Sequence, residues 1–383
     1  MVCPASLFSD NLCSSIGTLP CRAGIRLSLN RVYVSRLLIG EVLALTSLMR
    51  KPSVRMTLST LFQFVQDGLG VSVTPQHFYF PVPSIKSFDS KDWHACRPCA
   101  AIDFRLQDQM DLLRSELLPY IKECGFSETP VPVNGHGPQF HFNNGFFERI
   151  DAEIAYAFVR QRKPKRVIEV GSGNTTLVNA AAVRKNAAEG FPGELFAIEP
   201  YPASYLKQGL PGLTQLIPAK VQDAPFDLFL SLKAGDILFI DSSHVVSMDS
   251  DVLYELLGIL PRIAPGVLIH FHDIFTPLDY PEKFVKRNLC FWGEQYLLEA
   301  FLSFNSAFKV VWAGSAMQQF YPDVLRDAFP GWEGSFNRMP SDLKLFAPSL
   351  DGKNVWPCSF WITRTDQSAP AMAAIPSADG SPA

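Results

Sequence analysis

A run of small residues in the middle of the chain has the composition of a ligand-binding turn. It follows the apolar segment 166–170, opens a helical segment, and reads Glu169-Val-Gly171-Ser172-Gly173-Asn174. Glycines suit such a place because the backbone has to turn sharply and a ligand has to approach it closely. The GxGxxG fingerprint of dinucleotide enzymes lacks its third glycine here, since Thr176 stands at that position. The acid two residues before the first glycine suits the cationic end of a ligand better than a pyrophosphate.

Polar residues that could hold the rest of a nucleoside follow the next two predicted strands. Glu199 ends the segment ELFAIE, where an acid can accept hydrogen bonds from both hydroxyls of a ribose. Enzymes that bind NAD also use an acid at this place, so Glu199 alone does not discriminate between cofactors. Gln222 and Asp223 follow the third predicted strand, where an adenine edge could be hydrogen-bonded.

A second set of polar residues follows the fourth and fifth predicted strands. Asp241 ends DILFID and His244 lies three residues later, while His272 and Asp273 end VLIHFHD. In open α/β sheets, ligands bind at the carboxyl ends of the strands, so these side chains are expected to meet. A neutral histidine there can take a proton near pH 7. His270 lies inside the strand, and we predict that it is a hydrogen-bonded core residue.

In their order and spacing, these motifs resemble those of class I S-adenosylmethionine (SAM)-dependent methyltransferases. EVGSGN resembles the first motif of that family, IEP with Glu199 the second, and DILFID with Asp241 the motif of strand four; the likeness covers residues 143–364. It implies that Glu169 lies near the methionine amino group and that Glu199 binds the ribose. The cofactor-binding residues implied in full are Glu169, Gly171, Ser172, Gly173, Asn174, Glu199, Gln222, Asp223 and Asp241.

Three longer stretches, 239–251, 265–275 and 291–301, are similar to those of metal-assisted sugar and catechol O-methyltransferases. That resemblance implies that Asp241, His272 and Asp273 hold a divalent cation and that His244 is the general base, with Asp241 and Asp273 orienting the acceptor. His272 stands where that group has a carboxylate or an amide, and Mg²⁺ prefers oxygen ligands. Magnesium, a softer ion and no metal therefore all stay open. For His244, a loop histidine bonded to the backbone is the alternative.

The elements that must position these residues follow a strand–helix–strand pattern, which predicts a parallel sheet covered on both faces. We predict an α/β, Rossmann-like, seven-stranded and mostly parallel sheet with a C-terminal antiparallel hairpin and an N-terminal helical cap. Helices are predicted over residues 101–124 and 145–161. The predicted domains are a basic N-terminus at 1–55, disordered or an over-extended start, a cap region at 56–142, a methyltransferase domain at 143–364 and a disordered tail at 365–383.

Charge and composition limit the classes of partner. The net charge of −3 argues against a nucleic-acid binder driven by bulk electrostatics. Residues 1–55 carry seven basic and two acidic residues, a composition that also overlaps with organellar transit peptides. No apolar run reaches the roughly 18–20 residues that span a bilayer. The eight cysteines are too sparse for a disulfide framework. We therefore expect a cytoplasmic protein with a small-molecule acceptor and without membrane or nucleic-acid partners. An oligomer is possible but is not indicated by the sequence.

The sequence thus favours an enzyme that transfers a methyl group from SAM to a hydroxyl group of a sugar or a phenol. An NAD(P)-dependent oxidoreductase is the first alternative, which the missing third glycine and Glu169 disfavour. A non-catalytic module that binds SAM is the second. The polar cluster at the strand ends disfavours it, because a scaffold has no need for such a cluster.

Overall fold

The structure, a computed structural model, describes residues 81–131 and 137–365 together with residues 66, 68 and 79. The chain divides into two compact units, with the boundary between Asp89 and Ser90. In the first unit a short 3₁₀ turn spans Ile85–Phe88. The predictions for residues 1–55 and for the tail after residue 365 lie outside the described residues. Within the described part of the chain, no helix is long and apolar enough to cross a membrane.

A seven-stranded sheet forms the centre of the second unit, in the spatial order β3-β2-β1-β4-β5-β7-β6. The first five strands run parallel, whereas β7 pairs antiparallel with both β5 and β6. This confirms the predicted mostly parallel sheet with a late antiparallel pair. The strands are β1 Arg166–Val170, β2 Glu194–Ile198, β3 Gln215–Ile217, β4 Ile237–Ile240, β5 Leu268–Phe271, β6 Phe308–Ala313 and β7 Phe360–Arg364.

Helices alternate with the strands along the chain, and three of the α-helices precede β1. The α-helices are α1 Leu106–Leu112, α2 Leu118–Glu123, α3 Asp151–Arg162, α4 Asn174–Ala188, α5 Ser204–Lys207, α6 Phe226–Leu230, α7 Asp251–Leu253, α8 Glu294–Leu302, α9 Gly314–Phe320, α10 Pro322–Ala328 and α11 Ser335–Arg338. Single π-helical turns cover Leu113–Leu117, Tyr254–Ile259 and Lys283–Arg287, and 3₁₀ turns cover Val221–Asp223, Leu260–Arg262 and Leu343–Leu345.

Both faces of the sheet are buried, as the continuous apolar strands predict. Along β4, Ile237 and Phe239 face one hydrophobic cluster, while Leu238 and Ile240 face another. Helices α1 to α4 contribute to the first cluster, and α8 with the π turn Tyr254–Ile259 contributes to the second. The predicted N-terminal helical cap therefore packs in the same core as one face of the sheet.

The helix predicted from about residue 145 begins later, at Asp151. Side chains satisfy the backbone N–H groups before that point, so a helical turn is not needed there. Glu148 accepts from the N–H groups of Asn143 and Gly145, at 2.9 and 2.7 Å. Asn144 Oδ1 accepts from the N–H groups of both residues 146 and 147, at 2.9 Å each. Such local bonds compete with helix formation.

Arg160 joins α3 to its neighbours and offers a first test of the packing. Its side chain is 2% exposed and donates to Glu123 at 2.7 Å and to Glu189 at 2.8 Å. Removing one partner of a buried ion pair costs about 3–5 kcal/mol. Because the two carboxylates are about one third exposed and can rehydrate, we expect Arg160→Met to lower the free energy of unfolding by about 2–3 kcal/mol in urea denaturation.

Arg162→Met is the matched control, because Arg162 lies on the same helix but is exposed. Its free energy of unfolding should stay within about 0.5 kcal/mol of the parent value. Equal losses in the two variants would show that the buried ion pairs of Arg160 add nothing to stability.

Candidate active site

The glycine turn lies between β1 and α4, and its first glycine is required by geometry. Gly171 has φ +78°, and a Cβ at this position would lie 1.9 Å from the carbonyl oxygen of Asp241. Its N–H donates to the carbonyl of Ile198 at 3.0 Å, and the N–H of Asp241 donates to the carbonyl of Val170 at 2.8 Å. The ends of β1, β2 and β4 therefore meet at this glycine, where a side chain has no room.

Glu169 supports the turn from inside the protein. It is fully buried and accepts hydrogen bonds from the hydroxyl groups of Thr175 and Thr176, the latter at 3.0 Å, and from Asn179 at 3.4 Å. Burial raises the pKa of this carboxyl group to about 7, although the three donors oppose the rise. A structural role for Glu169 as a cap of the loop accounts for these contacts. Its contact with the methionine amino group stays a prediction.

Glu199 lies at the end of β2 and faces the glycine turn. Its two oxygens accept from the N–H of Ser172 at 3.2 Å and from the N–H of Tyr201 at 2.8 Å. A carboxylate offers about four acceptor positions, so two remain for ribose hydroxyls. The hydroxyl of Ser172 is buried and finds no hydrogen-bond partner among the described residues. Buried polar atoms are nearly always paired, so this hydroxyl fits contact with a ligand.

The other predicted cofactor residues surround the same edge of the sheet. Gln222 donates to the carbonyl of Asp249 at 2.9 Å, while its Oε1 is buried without a partner among the described residues. Asp223 is exposed at the end of the 3₁₀ turn after β3. Asn174 opens α4 and donates to Asn144 at 3.2 Å. Asn144 thus links the glycine turn to the segment before α3, a contact that sequence reasoning missed.

The four polar residues predicted at the ends of β4 and β5 come together. His244 Nε2 lies 3.6 Å from both Asp241 Oδ1 and Asp273 Oδ2. His272 Nδ1 lies 3.5 Å from the same oxygen of Asp241 and 3.8 Å from that of Asp273. Each imidazole therefore lies within ion-pair distance of both carboxylates, and all four side chains meet in one largely buried cluster.

Glu294, at the start of α8, holds His244 from the opposite side. Its Oε2 lies 2.7 Å from His244 Nδ1, and its side chain is 1% exposed. Burial lowers the pKa of His244, but the bond to Glu294 and the charges of Asp273 and Asp241 outweigh burial and raise it. The ring is therefore a stronger base than free imidazole. Since Glu294 occupies Nδ1, Nε2 is the nitrogen that faces the two aspartates.

Two residues of this cluster have backbones in the left-handed region. His244 has φ +62° and Asp273 has φ +54°. Histidine and aspartate tolerate this region better than most side chains, yet it remains sparsely populated. Such conformations concentrate at functional sites, where the surrounding packing holds them. Here they follow β4 and β5 and turn both side chains towards the cluster.

The charges in the cluster stabilise one another. Burial alone would raise the pKa of Asp241, but His272 and His244 outweigh burial and hold it well below its usual range. Burial lowers the pKa of His272, but Asp273, Asp241 and Asp151 raise it to about 9. His270 differs, since it is fully buried, lies 2.9 Å from the Ser359 hydroxyl and stacks on Phe239. These contacts agree with the core position predicted for His270.

Sequence reasoning did not assign three residues of this region a role in the site, namely Asp151, Glu294 and Cys358. Glu294 is 50 residues from His244 along the chain, and Cys358 is 86 residues from His272. Glu294 lies in the stretch 291–301 that resembles O-methyltransferases, but the resemblance gave this residue no role. An acid at the start of a helix and a single cysteine before a strand carry no signal at all.

Three comparisons show which known proteins the chain is similar to. A family model described as "Methyltransferase domain" matches residues 168–274, which run from β1 through β5. An uncharacterized protein of Archaeoglobus fulgidus is 30% identical over 183 residues, which cover 45% of this chain and 79% of that relative. A solved structure from Thermobifida fusca, described as a "putative methyltransferase", is 13% identical over 72% of this chain and 96% of its own, with a TM-score of 0.25.

Proposed function

This chain belongs to the class I SAM-dependent methyltransferase family, and we propose that it transfers a methyl group from SAM to a hydroxyl group of a small molecule, such as a sugar or a phenol. One observation supports a hydroxyl group as the acceptor. His244 and Glu294 form a buried pair through Nδ1 of the histidine, and its other nitrogen, Nε2, faces Asp241 and Asp273. A hydroxyl group has to lose its proton during methyl transfer, and such a pair can take it.

The residues around the glycine turn have the hydrogen-bonding groups that SAM requires. Glu199 retains acceptor positions for the ribose, and Gln222 offers a buried acceptor to the adenine amino group. When bound, SAM supplies a methyl group on a positively charged sulfur. The carboxylates of Asp241 and Asp273 favour that charge, and the narrow turn at Gly171 lets the backbone approach the cofactor closely.

The chain's own groups would then carry the reaction as follows. Asp241 and Asp273 orient the acceptor hydroxyl beside His244 Nε2. His244 would accept the proton of that hydroxyl at Nε2, and Glu294 would stabilise the imidazolium through Nδ1. Holding the two reactants in line supplies much of the rate, because methyl transfer depends on close alignment.

Magnesium does not fit the predicted ligands Asp241, His272 and Asp273. One nitrogen from each of His244 and His272 lies between the two carboxylates, at 3.5 to 3.8 Å from their oxygens. Mg²⁺ takes oxygen ligands and retains waters in near-octahedral geometry. No step of the proposed reaction therefore depends on magnesium.

The experiment that tests the cofactor is calorimetric titration of the full chain with SAM. We expect a micromolar Kd, and we expect Glu199→Ala to raise it about 100-fold because two hydrogen bonds to a charged group are lost. Glu194→Ala, at the exposed start of the same strand, is the matched control and should bind like the parent. A folded parent chain that binds NAD⁺ but not SAM would refute the proposal.

The acceptor is tested by transfer of a labelled methyl group from SAM to a panel of sugars and phenols. Transfer to at least one hydroxyl compound is expected, with one S-adenosylhomocysteine formed per methyl group transferred. SAM binding without transfer to any member of a broad panel would instead favour a non-catalytic module.

A further inference from the structure

Three buried side chains on the Nε2 side of His272 can bind a metal ion. They are Asp151 at the start of α3, His272 at the end of β5 and Cys358 just before β7. Their residues are 2%, 5% and 2% exposed. Their ligand atoms lie within 4.8 Å of one another, which no other group of His, Cys, Asp and Glu among the described residues matches.

The distances centre on the sulfur atom of Cys358. Sγ lies 3.5 Å from Asp151 Oδ2, 3.5 Å from His272 Nε2 and 3.5 Å from Asp273 Oδ1. The sulfur is thus equally distant from one nitrogen and two carboxylate oxygens. Asp273 Oδ1 is a further oxygen beside the sulfur, but it lies outside the group of three whose ligand atoms are all close to one another.

These separations match the edges of a tetrahedral zinc site. Zn–S bonds of about 2.3 Å and Zn–N or Zn–O bonds of about 2.0–2.1 Å, at tetrahedral angles, place the sulfur about 3.5 Å from the other ligands. Among the three ligands Asp151, His272 and Cys358, the edge that does not include the sulfur runs from His272 Nε2 to Asp151 Oδ2 and is 4.0 Å. Binding an ion would shorten it by about 0.7 Å, a side-chain movement, to reach the N–O edge of the same geometry.

The other side of the imidazole has the partner that a metal-binding histidine needs. His272 Nδ1 lies 3.5 Å from Asp241 Oδ1. Histidines that bind a metal almost always direct their second ring nitrogen to a carboxylate or a carbonyl, which fixes the tautomer. Asp241 can therefore hold the Nδ1–H form of His272 and leave the Nε2 lone pair directed at Cys358 and Asp151.

Charge and donor type indicate the class of ion. Two carboxylates and a thiol surround one imidazole in a buried site, and buried carboxylates are costly without a cation. A thiolate and an imidazole select soft or borderline ions such as Zn²⁺, whereas Mg²⁺ and Ca²⁺ select oxygen. We propose that Asp151, His272 and Cys358 bind one divalent ion of the zinc class.

This ion would have a different set of ligands from the cation that the sequence predicts. Three protein ligands leave the fourth tetrahedral position to a water molecule, and binding releases the Cys358 thiol proton and the Nε2 proton of His272 to solvent. The ion would join α3, β5 and β7 at the edge where Asp273 meets the acceptor. Asp241 would support His272 rather than bind the metal. The inference does not rest on the proposed methyl transfer.

The test is metal binding by the full chain in the absence of SAM and acceptor. After removal of metals with a chelator, titration with Co²⁺ should give the absorption bands of a tetrahedral thiolate site, saturating at one ion per chain. Zn²⁺ should displace Co²⁺, and excess Mg²⁺ should not. These measurements on the unaltered chain do not depend on whether a variant folds.

Variants test whether the Cys358 thiol binds the ion. Cys358→Ser should remove the sulfur charge-transfer band and weaken Zn²⁺ binding more than about 100-fold, since even changes outside the ligand set cost 10- to 100-fold. Cys124→Ser removes a half-buried thiol elsewhere and should bind like the parent. Circular dichroism checks that both variants are folded. No cobalt spectrum in the parent, or an unchanged spectrum in folded Cys358→Ser, would overturn the proposal, whatever the outcome of the SAM titration.

Discussion

Replacing His244 with asparagine is expected to lower kcat about 10²- to 10⁴-fold, the range that general bases contribute. The substitution removes the nitrogen that faces Asp241 and Asp273, at 3.6 Å from each, but can retain a donor to Glu294. SAM binding should change little, because none of the contacts at the glycine turn involves His244. The measurements are methyl transfer to the best acceptor of the panel and calorimetric titration with SAM.

Two comparisons separate a catalytic role from a structural one. His94→Asn, at an exposed histidine, should retain the parent kcat. Glu294→Gln should lower kcat by a smaller factor, and combining it with His244→Asn should lower kcat no further, because groups that act as a unit are not additive. Losses that multiply in the double variant would show that Glu294 does not act through His244.

Replacing Gly171 with alanine is expected to lower the free energy of unfolding by about 2–6 kcal/mol. The methyl group would meet the carbonyl oxygen of Asp241 at 1.9 Å, so either the turn or the end of β4 has to move. We add about 1–3 kcal/mol for overpacking to about 1–3 kcal/mol for a strained φ of +78°. Because the same segments carry the predicted SAM site, binding of SAM should be lost in whatever fraction stays folded.

Gly173→Ala is the matched control in the same turn. A Cβ at Gly173 would meet no atom within 4 Å, and its φ of 171° is extended backbone. The midpoint of thermal unfolding of this variant should stay near that of the parent. Because the turn is expected to contact the cofactor, the affinity for SAM should fall. A stable Gly171→Ala protein that binds SAM normally would contradict the close packing of Gly171 against Asp241 at the end of β4.

The sequence itself determined the sheet and one edge of the site. Short apolar runs at regular spacing can be buried only between two layers of helices, and a parallel sheet places the carboxyl ends of its strands together. It could therefore be predicted that Asp241 and His244, which follow β4, meet His272 and Asp273, which follow β5. The start of α3 was predicted too early because side-chain bonds from Asn144 and Glu148 replace the first helical turn.

Only the tertiary structure decided which distant residues complete the site. The antiparallel strand β7 lies between β5 and β6, which brings Cys358 beside His272. Helix α3, 207 residues earlier in the chain, brings Asp151 to the same cysteine. Helix α8 likewise brings Glu294 to His244. Glu169 was recognised by its place in the turn, but its buried bonds to α4 were not. These contacts depend on long-range packing, which leaves no periodicity or spacing in the sequence to read.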